Sequence, residues 1–126
     1  MVSDSLRVLE QVAARTGTVV YLEPLNRYQD HMINTLADAR RYIVENDLKH
    51  VQIIGDFYHM NIEEDNLAQA LHDNRDLLGH VHIADNHRYQ TGSPHGCIPV
   101  FFCQRLRLGK AVRRAYPGGR SCPGVP

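Results

Sequence analysis

Three short segments of this chain begin as apolar, β-branched runs and end in a carboxylate or an imidazole, with helical spans between them. They read Val19-Val20-Tyr21-Leu22-Glu23-Pro24-Leu25-Asn26-Arg27, Val51-Gln52-Ile53-Ile54-Gly55-Asp56-Phe57-Tyr58-His59 and Gly79-His80-Val81-His82-Ile83-Ala84-Asp85. Short apolar runs of this composition predict buried strands. The intervening spans are long enough for crossover connections, so the strands are expected to run parallel. In parallel α/β folds, ligands and chemistry gather at the strands' C-terminal ends. Glu23, Asp56 and His82 are therefore candidates for one shared divalent cation.

The helices can be placed from their punctuation. Ser5 is expected to cap a first helix with Leu6, Leu9, Val12 and Ala13 on its buried face, and Gly17 to end it. A strand over 18–23 follows. Asn34 or Thr35 opens a second helix running to Asp47, with Leu36, Ala39, Ile43 and Val44 as its apolar stripe. The second strand is expected at 51–56. Glu63-Glu64-Asp65 then reads as the start of a third helix, where acids complement the positive helix end, continued by Leu67, Ala68 and Leu71. A third strand is expected at 79–84, and the strands read as apolar on both faces.

Charge divides the 126 residues at one point. Residues 1–85 carry seven Lys/Arg against 14 Asp/Glu, whereas residues 86–126 carry seven Lys/Arg and no acid. The second part also holds five of the six prolines and all three cysteines, a composition poor at building packed structure. We therefore expect a domain at 1–90 and a basic, Pro/Gly-rich, poorly ordered tail at 91–126. The tail has no nucleic-acid-binding motif or regular aromatic interleaving, so no nucleic-acid partner is expected. Cys97, Cys103 and Cys122 match no zinc-site spacing. The polar N-terminus and the lack of a long apolar run lead to the expectation of a cytoplasmic protein without a membrane partner.

Each chemistry-bearing residue has a bland alternative. An unpartnered, ionised Glu23 at the end of an apolar strand would cost several kcal/mol. A salt bridge to Arg27 or a neighbour would relieve that cost as well as a cation would. Asp56 and His59 form a D-x-x-H unit whose bland alternative is a helix or loop cap by Asp56 and a surface His59. His80 and His82 alternate, so both point to one face of their strand, with Val81 opposite. Two imidazoles on one face beside two strand-end carboxylates favour metal, and mixed O/N ligation suits Mn²⁺, Mg²⁺ or Co²⁺.

The segments Glu23-Pro24-Leu25-Asn26-Arg27, Asp56-Phe57-Tyr58-His59-Met60-Asn61-Ile62-Glu63-Glu64 and Gly79 through Arg88 resemble the xylose-isomerase-like TIM-barrel superfamily. The resemblance is to its sugar isomerase and epimerase branch, which includes ketose 3-epimerases and hydroxypyruvate isomerases. It implies a partial (β/α)₈ barrel of three parallel β/α units. It also implies a metal-dependent isomerase or epimerase acting on a small sugar or hydroxy-keto acid. Glu23, Asp56 and His82 would be metal ligands, Glu23 would also be an acid/base carboxylate, and His59 and Arg88 would bind substrate oxygens. The implied reaction moves a proton next to a carbonyl through an enediolate.

The chain departs from that pattern in three ways. Gln29 stands where the epimerase branch often has an acid. A complete barrel needs about 250 residues. The family's second catalytic Glu lies on a later strand, yet no Glu follows Glu64 and no Asp follows Asp85. A truncated or frameshifted fragment with impaired activity is the expectation, self-associating through its open sheet edges. The alternatives are a non-catalytic metal-binding fragment and the superfamily's apurinic endonuclease branch. The acidic body argues against the latter, since a phosphate-backbone binder needs a positive face.

Overall fold

The computed structural model describes residues 2–85 and 87–89. The tail expected at 91–126, including its order, lies outside the described residues. The chain divides into two units, Met1–His82 and Ile83–Pro126.

In the first unit the helix α1 (Val2–Thr16) leads into β1 (Val20–Leu22). Then come α2 (Leu36–Glu45), β2 (Val51–Asp56), α3 (Phe57–Glu63), α4 (Leu67–Asp73) and β3 (Leu78–His82). The three strands form a parallel sheet in the order β1-β2-β3. The expected parallel β/α architecture is therefore present among the described residues, as a three-stranded parallel sheet with connecting helices.

Local chemistry accounts for most of the element ends. Gly17 adopts φ 71° and donates its N–H to the Ala13 carbonyl, closing α1. Thr35, not Asn34, caps α2: its Oγ1 accepts from the Asp38 N–H, and Asp38 accepts from the Thr35 N–H in return. Asn34 instead donates to the Leu25 and Asp30 carbonyls, bracing the loop after β1.

Several expectations fail here. Ser5 is not a cap, because α1 already begins at Val2. Glu63-Glu64-Asp65 does not open a helix: Glu63 ends α3, and Asn66 caps α4 by accepting from the Gln69 N–H. Tertiary partners for the two glutamates account for this break. Glu63 binds Arg27, and Glu64 accepts the Leu36 N–H at 2.7 Å, supplying an acceptor to the start of α2.

The core lies on one side of the sheet. Val51, Ile53 and Gly55 of β2 are buried there against Leu36, Ala39 and Ile43 of α2, Phe57 and Met60 of α3, and Leu71 of α4. The expected stripes are only partly covered. Leu6 and Ala13 of α1 are buried, while Leu9, Val12 and Val44 are exposed. Glu10 ties α1 to the start of β2 by accepting the Lys49 and His50 N–H groups. The other side of the sheet corrects the expectation of two apolar faces. The register places Tyr21 beside Gln52, Ile54 beside His80 and Asp56 beside His82. That face is mixed polar and aromatic, and its residues are only partly covered.

Candidate metal centre

Glu23, Asp56 and His82 converge at the C-terminal ends of the three strands. One ligand-type atom from each lies within 4.8 Å of the other two. His82 Nδ1 is 3.2 Å from Glu23 Oε1 and 3.6 Å from Asp56 Oδ2. Two donors each about 2.0–2.3 Å from a first-row cation can be at most about 4.6 Å apart. The observed spread thus closes around an ion with shifts of a few tenths of an ångström. Two carboxylates and an imidazole form a hard-to-borderline donor set suited to a divalent cation.

Each side chain reaches this point for a local reason. Glu23 follows the last residue of β1, and Pro24, which lacks an N–H, discourages further strand pairing. Asp56 ends β2 and also caps α3, its Oδ1 accepting the Tyr58 N–H at 2.8 Å. The capping alternative is therefore true of one oxygen, while Oδ2 is the oxygen facing His82. The cap also fixes the carboxylate's orientation. His82 sits opposite Asp56 in the β2–β3 register. His80, one alternation earlier, presents its ring edge-on to His82 with centroids 5.1 Å apart.

Of the salt-bridge alternatives for Glu23, the one to Arg27 does not form, while a neighbour, His82, lies within ion-pair distance. Arg27 engages Glu63 instead, Nε to Oε1 and Nη2 to Oε2, each at 3.0 Å. Glu63 Oε1 also accepts the Arg27 backbone N–H at 2.7 Å. The guanidinium's hydrogen bonds and charge hold the Glu63 carboxyl below the usual carboxylate range, and Glu63 raises Arg27 in turn. Glu64 is pushed the other way, mainly by burial and further by its acidic neighbours.

His59 is not at the surface. It is buried at 3 % exposure, and Asn26, fully buried, approaches it from the loop after β1. His59 Nδ1 lies 3.1 Å from the Asn26 backbone nitrogen and 2.9 Å from Asn26 Nδ2. A backbone N–H can only donate, so Nδ1 accepts and the neutral ring carries its proton on Nε2. Asn26 Oδ1 is used as well, accepting the Tyr28 N–H. The Asn26–His59 and Arg27–Glu63 pairs together fasten the segment following Glu23 to α3. Sequence reasoning gave Asn26 no separate role and read Glu63 only as part of a helix start. The available signal was the polar Asn26-Arg27 pair directly behind a strand-end carboxylate.

Arg88 belongs to the second unit. It has φ 63° in a turn where its N–H donates to the Asp85 carbonyl and the Asp85 N–H donates to the Tyr89 carbonyl. Of the five residues singled out in the sequence, three thus share one centre and His59 is engaged with Asn26. Among the described residues, no helix is long and apolar enough to cross a membrane.

Parallel β/α units with two carboxylates and an imidazole gathered at the C-terminal ends of their strands are the arrangement of part of a (β/α) barrel. The chain belongs to the xylose isomerase-like TIM barrel family, whose family model matches residues 1–114. It is 99% identical over 93 residues to 3-dehydro-D-guloside 4-epimerase of Escherichia coli K12, a match covering 74% of this chain and 36% of that protein. It is 38% identical over 109 residues to a D-psicose 3-epimerase of Enterocloster bolteae, covering 86% of this chain and 34% of the relative. The crystal structure of apo 3-keto-D-glucoside 4-epimerase from E. coli superposes with a TM-score of 0.79 at 88% identity. That superposition covers 84% of this chain and 40% of the other. The chain therefore spans about a third of the length of the curated relatives it matches.

Proposed function

We propose that this chain carries the metal-binding part of a sugar epimerase that moves a proton on a carbon next to a carbonyl. The observation that carries the proposal is the convergence of Glu23, Asp56 and His82 within 4.8 Å at the C-terminal end of a parallel sheet. These three residues would hold Mn²⁺, Mg²⁺ or Co²⁺. When bound, such an ion supplies Lewis acidity toward the oxygens of the carbonyl and its neighbouring hydroxyl.

The protein's own groups do the rest. Glu23 has two oxygens, so ligation through one leaves the second to accept the proton from the carbon beside the carbonyl, giving the enediolate. His59, whose contacts with Asn26 assign its ring proton to Nε2, would hydrogen-bond a sugar oxygen. Identity with the E. coli 3-dehydro-D-guloside 4-epimerase supports a keto-glycoside as the substrate class, in preference to a free ketose or a hydroxy-keto acid.

Thermal unfolding with added Mn²⁺ tests the proposal. A ligand at a hundred times its Kd stabilises by about 2.7 kcal/mol through binding linkage. The native chain should gain that stabilisation and His82→Ala should lose it. Equal shifts in both proteins would remove His82 from the ligand set.

A further inference from the structure

The segment Gly79-His80-Val81-His82 does not pair with β2 residue for residue. Leu78 lies opposite Ile53, but His80, not Gly79, lies opposite Ile54. Gly79 is thus an extra residue in β3, a bulge of a kind that is rare between parallel strands. From there regular pairing resumes, with Val81 opposite Gly55 and His82 opposite Asp56. Side chains alternate faces along a strand, so a one-residue change of register reverses every following side chain. Were Gly79 paired with Ile54, Val81 would lie opposite Asp56. His82 would then move one position beyond Asp56 and turn to the helix-covered side.

The bulge also explains why this position holds glycine. A Cβ at residue 79 would collide with Gln52 Oε1 and would lie 2.6 Å from Tyr21 Cε1 and 2.9 Å from Gln52 Cβ. The Gln52 amide can rotate away. Its Cβ cannot, and the Tyr21 ring is the second wall. The φ of Gly79 is not among the positive values, so crowding, and not backbone conformation, demands the missing side chain.

We infer that Gly79 is a positioning residue for the metal centre: its bulge sets the register that brings His82 to Asp56 and Glu23. The inference rests on the metal-site reading above for its functional meaning, while its structural content stands apart. Asp56 is already fixed by capping α3, which leaves His82 as the ligand whose placement depends on strand register.

The test compares two variants of the full chain. In Gly79→Ala, the bulge must open or slip, so the interstrand NOE between Asp56 and His82 should weaken or vanish. The apparent Mn²⁺ affinity, read from thermal shifts, should fall at least about tenfold, the scale of supporting-residue effects at metal sites. Deletion of Gly79 should do neither, because Leu78 and His80 then alternate directly opposite Ile53 and Ile54. A merely structural role would rank the deletion as the more damaging change. Native NOE and native affinity in Gly79→Ala overturn the inference, as does a deletion variant that loses the Asp56–His82 NOE. Should Gly79→Ala fail to fold, the deletion variant decides alone. If the native chain shows the NOE but no variant responds to Mn²⁺, the metal reading fails, and the NOE alone decides the register inference.

Discussion

Replacing His59 with leucine should destabilise the chain more than deleting its partner's side chain. His59 Nδ1 accepts from both the backbone and the side-chain nitrogen of Asn26, within a pair that is almost wholly buried. Leucine is close in volume but accepts no hydrogen bond. His59→Leu therefore leaves two buried donors unmatched, each costing about 1–3 kcal/mol. The sum is about 2–6 kcal/mol, a large fraction of the stability of a small domain. Asn26→Ala removes one of those donors together with the Tyr28 acceptor, yet Nδ1 keeps the Asn26 backbone N–H. Its cost should be about 1–2 kcal/mol. In the double variant only one of the two donors to His59 remains stranded, so the two costs should combine to less than their sum. Urea unfolding in chelator-containing buffer keeps cation binding out of the comparison. At about 4–8 °C per kcal/mol for a domain of this size, His59→Leu should also lower Tm by at least about 8 °C. A His59→Leu cost below about 0.5 kcal/mol, or an Asn26→Ala cost exceeding it, would refute the satisfied-donor argument.

Other outcomes follow from the same geometry. Burial holds Glu64 above its ordinary value of 4.5, so its contribution to stability is fully present below that value and lost as pH rises through the raised one. Glu64→Gln keeps an acceptor for the Leu36 N–H and removes this loss. Its urea midpoint relative to the native chain should therefore rise as pH increases above about 4.5; a relative fall would contradict the assignment. The isolated chain should epimerise a 3-keto-glycoside weakly or not at all, since one positioned acid/base group is typically worth about 10²–10⁴-fold. Rapid turnover that survives in Glu23→Gln would contradict both the role of Glu23 and the mechanism. Among the described residues β1 and β3 are the sheet's outer strands, and Leu9 and Val12 of α1 are exposed. Self-association is expected, and sedimentation velocity that is independent of concentration would argue against it.

The sequence alone determined the alternation of elements and the location of the candidate ligands. Val51–Asp56 has enough β-branched residues to read as a strand at its observed bounds. Gly17 and the Asn34-Thr35 pair mark helix ends because their requirements, a positive φ and a capping side chain, are local, though only the structure chose Thr35 over Asn34. Glu23, Asp56 and His82 stood out because polar groups at the ends of apolar runs are conspicuous. The tertiary structure decided their company. Glu23 faces His82, 59 residues away, and Arg27, four residues away, turns to Glu63. The acidic run at Glu63–Asp65 looked like a helix start because helix-end electrostatics is readable locally, whereas its true partners, Arg27 and the Leu36 N–H, are brought near only by folding. Periodicity likewise identified Leu9, Val12 and Val44 as apolar without showing whether anything covers them. The bulge at Gly79 was the least legible feature. Alternation predicts that His80 and His82 share a face, but which face depends on pairing with a neighbouring strand, and one extra residue reverses the answer.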